Sequence, residues 1–388
     1  MLQSVKVADF STHFPGPLAG HLLAELGADV VKIESVKGGD GNREMSPKAA
    51  GTSVFHAVLS SGARSIAVDR RDPAWDEVLA AAARWADVVL VAGPEPLLKA
   101  RGLDFATFAA LNDRVVYCMI SGYGSAGPLA SWPAHGQGPD ALAGSVQVVT
   151  DEQGRFTTDR SWRGYGTTLS GLFGALAITS ALVARDAGAG AQCCEVAMWT
   201  SSVWGHWRDI GCLANAGEMW SGTKDLGSRY RMYRTRDDRA LHVAPIEQKF
   251  WVRFCEIVGL PEDLAERGDW TSQIMDFGDG PAYADEVDRI QAGIGTETLD
   301  TWVERLGEAG IPIAPVLTLA EALGGEHAAA QGVLREVPGP DGSGPLRIPR
   351  IPVRMRTAAG DTTLPDLAGP PELGEHTAEV RREWGLDG

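Results

Sequence analysis

Cysteine is scarce in these 388 residues. The five present, Cys118, Cys193, Cys194, Cys212 and Cys255, form no C-x-x-C pair. That points to reduced thiols in a cytoplasmic protein, with Cys193-Cys194 as strand filler. Basic residues are also short, 35 Lys+Arg against 51 Asp+Glu, for a net charge of −16. This balance argues against nucleic-acid binding, which needs a basic face. It leaves room for a local basic pocket around a phosphorylated small molecule. The opening MLQSVKVADFSTHFPGP has no basic stretch followed by a long apolar one, so no secretory signal is read. No Walker loop, H-E-x-x-H, His/Cys ligand cluster or G-x-S-x-G elbow occurs, and no metal is expected. Gly122–Gly127 (GYGSAG) fits G-x-G-x-x-G, but Pro128 and Trp132-Pro133 follow where a helix should, so neither nicotinamide nor flavin is expected.

Apolar residues make up 44% of the chain, enough to offset the entropy of ordering and exclude general disorder. Residues 164–184 carry no formal charge between Arg163 and Arg185, and match the roughly 20 residues of a bilayer span. Their Gly, Ser and Thr content suits instead a fully buried helix of a soluble protein, at a subunit interface, and no membrane is expected. Upstream, two periods alternate. Val5–Phe10 reads as a strand, Leu18–Leu26 as a helix with Pro17 at its start and Gly27 past its end, and Asp29–Glu34 as a second strand. Strand-like Ser65–Asp69, Asp87–Val91, Arg114–Ile120 and Gln192–Met198 interleave with helical Trp75–Trp85 and Phe105–Leu111. The class is α/β, with a Rossmann-like parallel sheet whose ligand end lies beyond the first strand, near Thr12–Gly16.

Helix is expected over Met198–Cys212, and the texture changes near Trp220. Tyr230–Thr235 and Ala240–Ala244 read as a hairpin, Phe250–Val258 and Val287–Glu308 as helical, Gly310–Leu317 as extended, Pro338–Pro345 as a loop, and the tail from Thr377 as a helix. The expected organisation is a large domain over residues 1–215, a smaller inserted α+β domain over 216–330, and a return to the large domain over 331–388.

The stretch FPGPLAGHLLAELGADVVKIESVKGGDGNR resembles the opening of the class III coenzyme A transferases, a family that includes formyl-CoA and carnitine CoA-transferases and the α-methylacyl-CoA racemases. ARSIAVD, RWADVVL, ISGYGSAGP, ALVARDAGAGAQCCEVAM, GIPIAPVL and LGEHTAEVRREWGLDG match further family segments in order. The resemblance implies an interlocked homodimer acting on an acyl-CoA or carboxylic acid. It assigns CoA contacts to His13, Phe14, Pro15, Gly16, Arg64, Gly122 and Tyr123, with the two glycines letting backbone approach the ligand. Arg43 is a further candidate. Relatives carry Asn-Phe-Arg-Pro-Gly where this chain has Ala92-Gly93-Pro94-Glu95-Pro96, and Arg101 is the substitute for the lost cation.

The family's transfer chemistry runs through an aspartyl anhydride. The resemblance places Thr167 at that Asp position; Asp140 and Asp159 are the nearest carboxylates but do not fit the spacing. The racemases need a His and a helper Glu, matched by His135 and Glu247, although Gly136 stands where an Asp follows the His. Three expectations stand: CoA transfer between carboxylic acids with an atypical or displaced nucleophile, racemisation or isomerisation of an acyl thioester by His135 and Glu247, and a non-catalytic CoA-binding subunit that works with a paralogue.

Overall fold

The structure is a computed structural model and describes residues 1–220, 226–358, 360–362 and 364–386. It divides into two compact units, one of Met1–Trp207 with Ala330–Gly388, the other of Arg208–Ala329.

The first unit is built on six parallel strands: β1 (Lys6–Asp9), β2 (Asp29–Ser35), β3 (Ala63–Val68), β4 (Val88–Ala92), β5 (Val116–Ser121) and β6 (Gln192–Ala197). Their spatial order is β6-β5-β4-β1-β2-β3, every neighbouring pair parallel. Both faces are covered, so the inner strands read as unbroken apolar runs. In β4, Val88 and Leu90 enter the core beneath α1 (Pro15–Glu25) and the long helix Tyr165–Asp186. Val89 and Val91 enter the opposite core, with Trp75–Trp85, Phe105–Leu111 and the tail helix Thr377–Glu383. The chain builds β1-β2-β3 outward on one side, then returns past β1 to add β4-β5-β6. The direction switches between β1 and β4, and parallel sheets open a crevice beyond the carboxyl ends of the strands at such a point.

The long helix packs on α1, β5 and β6. Small residues make this approach possible: a Cβ on Gly171 would lie 2.8 Å from Leu18 Cδ2, and one on Gly174 would lie 3.0 Å from Ile120 Cδ1. The expectation of full burial is corrected here. Ser170, Gly174 and Ile178 are buried, but Leu172, Leu176 and Val183 on the other side are 51%, 57% and 72% exposed. By length and composition this is a helix able to cross a membrane, yet it serves as a core layer of the sheet.

Three further expectations are revised. The helix expected over Met198–Cys212 breaks at Gly205 into Met198–Trp204 and Trp207–Ala216. The stretch Val287–Glu308 forms two helices, Glu286–Ile294 and Leu299–Glu308, because the Thr298 side chain accepts the Thr301 N–H and starts a new cap. Pro338–Pro345 is not a plain loop: Leu334–Pro338 and Pro345–Pro349 pair antiparallel across it. In the second unit, Arg231–Arg234, Ala240–Val243 and Ile313–Pro315 form a three-stranded antiparallel sheet over a core that includes Trp251, Phe254 and Trp302.

Candidate active site

The loop after β1 is pinned from below by charges. Lys32, on β2, is 2% exposed, and its Nζ lies 3.3 Å from Asp9 Oδ2, 2.9 Å from Asp40 Oδ2 and 2.9 Å from the Ser11 carbonyl. Asp9 Oδ1 accepts from the Ser11 N–H and hydroxyl. Asp40 Oδ1 accepts from the N–H groups of His13 and Asn42, and the Asn42 side-chain amide donates to the His13 carbonyl. Burial pushes the Asp9 carboxyl up despite Lys32. Burial also opposes the ionised form of Asp40, but Lys32 and the Asn42 and His13 N–H donors outweigh it and hold that carboxyl down. For Lys32 itself burial opposes the charge; Asp9, Asp40 and Glu34 together overcome it and raise the ammonium. The network holds His13 in a left-handed conformation (φ 66°) at the rim of the crevice.

Above the switch point lies a cavity of about 350 Å³. His13, Phe14, Pro15, Gly122, His135 and Thr167 all line it. The His13 and His135 rings face each other edge-on, 6.2 Å apart between centroids. Thr167 stands in the first turn of the long helix, whose N-cap, Gly164, adopts φ 65° and offers no side-chain cap. That helix end faces the cavity through Thr167, while the Asp140 carboxylate meets it from the protein side by accepting the Gly166 N–H.

A second cavity, of about 220 Å³, adjoins the first and shares Thr12 and Ala92 with it, one residue from each side of the switch point. Arg70, Arg101, Trp75 and Phe10 are among its walls. Burial first, and then the like charge of Arg70, lower the Arg101 guanidinium. Neither guanidinium has an ion pair among the described residues. Two neighbouring cations beside an aromatic surface suit a nucleotide's phosphates and base. A third cavity, of about 500 Å³, shares Phe14 and Thr167 with the first and is otherwise walled by Leu18, Phe55, Leu59, Trp162, Arg163, Gly164 and Thr168.

The remaining expected residues lie elsewhere. Arg64 sits near the start of the edge strand β3, away from the strands' carboxyl ends, and is occupied by Asp29, Glu379 and Glu383. Arg43 binds both oxygens of Glu34 and the Pro371 carbonyl. Gly16 and Gly122 make room for neighbouring protein: a Cβ on Gly16 would lie 2.2 Å from Ser11 Oγ, and one on Gly122 would lie 2.2 Å from Ala134 Cβ. Tyr123 packs edge-on against Trp132 and lines none of the three cavities. Glu247 belongs to the second unit, at the N-cap of Gln248–Val258, where its side chain makes no capping bond. Asp140 is fully buried, its Oδ1 accepting from the Gly166 N–H at 2.6 Å and its Oδ2 from Trp162 Nε1 at 2.8 Å. It clasps the start of the long helix and is closed to substrate. Asp159 accepts from the Ser161 N–H in its loop. Among the described residues no three His, Cys, Asp or Glu side chains gather as metal ligands. Arg70, missed in the sequence reading, follows β3 directly; the Asp69-Arg70-Arg71 run at a strand's carboxyl end was its available signal.

This arrangement has relatives. The profile of CoA-transferase family III matches residues 2–377. The chain is 26% identical over 393 residues to the acetyl-CoA:oxalate CoA-transferase of Acetobacter aceti, covering 97% of this chain and 94% of the relative. It is 27% identical to the cinnamoyl-CoA:phenyllactate CoA-transferase of Clostridium sporogenes, covering 99% and 93%. Among solved structures, a CAIB/BAIF family protein from Brucella suis superposes with a TM-score of 0.77 at 23% identity, covering 99% of both chains. Rv3272 from Mycobacterium tuberculosis superposes at 0.79 and 24%, covering 97% of this chain and 98% of that one. With its parallel α/β sheet and a profile match along nearly its whole length, the chain belongs to CoA-transferase family III, a family of transferases that act on CoA thioesters.

Proposed function

We propose that this protein transfers CoA between carboxylic acids, with the carrier lying along the crevice at the switch point. Arg70 and Arg101 take the phosphates, Trp75 offers a surface to the base, and pantetheine runs past Thr12 and Ala92. The thioester reaches the cavity of His13, His135 and Thr167. The continuity of these two cavities is the observation that carries the reading. At the thioester end, the Thr167 hydroxyl, in the first turn of the long helix, favours charge that develops on the carbonyl oxygen. The nucleophile is atypical, since no carboxylate lines the cavity that holds Thr167. Exposed Leu172, Leu176 and Val183 on the long helix support pairing of two copies. The test is mass-spectrometric detection of new thioesters when the protein is given acetyl-CoA and a panel of acids. A protein that binds CoA but forms none is the non-catalytic subunit.

One observation favours a second reading. The facing His13 and His135 rings could exchange a proton at the carbon next to the thioester. Deuterium uptake from solvent into a 2-methylacyl-CoA tests it. Absence of uptake removes it.

A further inference from the structure

The transfer reading leaves open which atom attacks the thioester. We propose that the second acid is itself the nucleophile, seated in the aromatic cavity beside Thr167, and that no acyl-enzyme anhydride forms. The inference rests on the transfer reading and deepens it.

Among the described residues, the walls of the His13–His135 cavity and of the aromatic cavity contain no Asp or Glu. Of the nearby carboxylates, Asp140 is sealed by Gly166 and Trp162, and Glu34 is held by Arg43, Ser65 and the Asp40 N–H. Asp40 and Asp9 belong to Lys32. A Thr167 hydroxyl could attack, but it would leave an ester, a far poorer acyl donor to a thiolate than an anhydride. Among the described residues, the walls of these two cavities thus offer a place for a carboxylate nucleophile and supply none themselves.

The aromatic cavity supplies the space. At about 500 Å³ it is large enough for a small organic acid. Phe14, Leu18, Phe55, Leu59 and Trp162 make its walls apolar, and Arg163 is its one charged wall residue. Arg163 uses Nη1 on the carbonyls of Arg160 and Trp162. An apolar cleft with one cation fits a bulky monocarboxylate, an aryl or branched-chain acid, better than a dicarboxylate, whose second charge would lie against apolar walls without a partner. The shared walls Phe14 and Thr167 place its carboxylate against the thioester.

The step balances without any co-reactant. A carboxylate oxygen of the second acid bonds to the thioester carbonyl carbon, and the C–S bond breaks. CoA thiolate and a mixed anhydride of the two acids result. The thiolate then bonds to the carbonyl carbon of the second acid, and the bridging C–O bond breaks. The first acid leaves as a carboxylate carrying one oxygen of the second.

That oxygen is the test. The full-length protein, in excess over acetyl-CoA, is allowed one turnover with 3-phenylpropanoate labelled with 18O in both carboxyl oxygens. The expected result is acetate carrying one 18O and an unlabelled protein. Unlabelled acetate together with 18O in the protein shows an enzyme anhydride and overturns the inference, while the transfer reading stands. If no new thioester forms from 3-phenylpropanoate, succinate or oxalate, the transfer reading falls and the inference with it. Preference is a second readout: at least a tenfold higher kcat/KM for 3-phenylpropanoate than for succinate is expected, and the reverse order overturns the acid class. Thr167→Asp puts a carboxylate at the shared wall. That variant should become trappable by hydroxylamine while the native protein is not; trapping of the native protein contradicts the inference.

Discussion

Replacing Lys32 by Met should destabilise the first unit severely, because it removes a buried cation and leaves two buried carboxylates. The three side chains are 2%, 3% and 1% exposed for Lys32, Asp9 and Asp40, so solvent screens them little. Breaking such a buried set by deleting one partner costs about 3–5 kcal/mol. For a unit of this size each kcal/mol lowers Tm by roughly 2 °C or more, so a drop of at least about 6 °C is expected. Differential scanning calorimetry measures it. The sign of the pH dependence is a stricter check. Without Lys32, Asp9 and Asp40 lose the charge that favours their ionised forms, so protonation relieves the strain and the gap to the native protein should narrow between pH 7 and pH 5. The triple variant Lys32→Met, Asp9→Asn, Asp40→Asn should recover part of the loss. A drop below 2 °C, or a gap that widens toward pH 5, would refute the account of the loop's anchoring. Because Asp40 holds the His13 N–H, the single variant should also bind CoA more weakly.

Two further outcomes are expected. Burial, and then the Arg43 charge, depress His56 from 6.5 to about 4, so it is neutral in the fold. Its contribution is complete above pH 6.5 and lost as pH falls toward 4; across that window the native protein should lose about 3 kcal/mol from this group. Urea titrations of His56→Gln should show a flatter slope there, and an unchanged slope contradicts the assignment. Gly122→Ala drives a Cβ into Ala134 and should cost about 1–3 kcal/mol. Adding Ala134→Gly should restore most of that stability, and failure to do so places the strain elsewhere.

The sheet was largely legible. Buried strands and helices announce themselves by period, and Trp75–Trp85 and Phe105–Leu111 fall where the pattern puts them. Breaks were less legible where one residue decides: Gly205 ends a helix within an apolar run, and Thr298 starts one inside a helical pattern. The lining of the candidate cavity was legible in part. His13, Phe14, Pro15, Gly122, His135 and Thr167 meet in one cavity, and Arg101 lines its neighbour. Arg64 and Arg43 look alike to Arg101 in sequence, yet they face carboxylates that come from Asp29, Glu379 and Glu383 for one, and Glu34 for the other. Only the fold brings those partners near, and a partnered guanidinium has little left for a phosphate. Arg70 was hidden for the converse reason: nothing local distinguishes it from Arg71, but it lines the cavity, whereas Arg71 turns back to Asp69.

The central claim is that CoA lies along the crevice with its phosphates at Arg70 and Arg101. Calorimetric titration of CoA into the native protein and into Arg70→Gln/Arg101→Gln tests it most directly. Each charge-assisted contact is worth about 1.5–3 kcal/mol, so the double variant should bind at least about a hundredfold more weakly while keeping its Tm. Absence of saturable CoA binding by the native protein, or equal Kd values for the two, would contradict the claim.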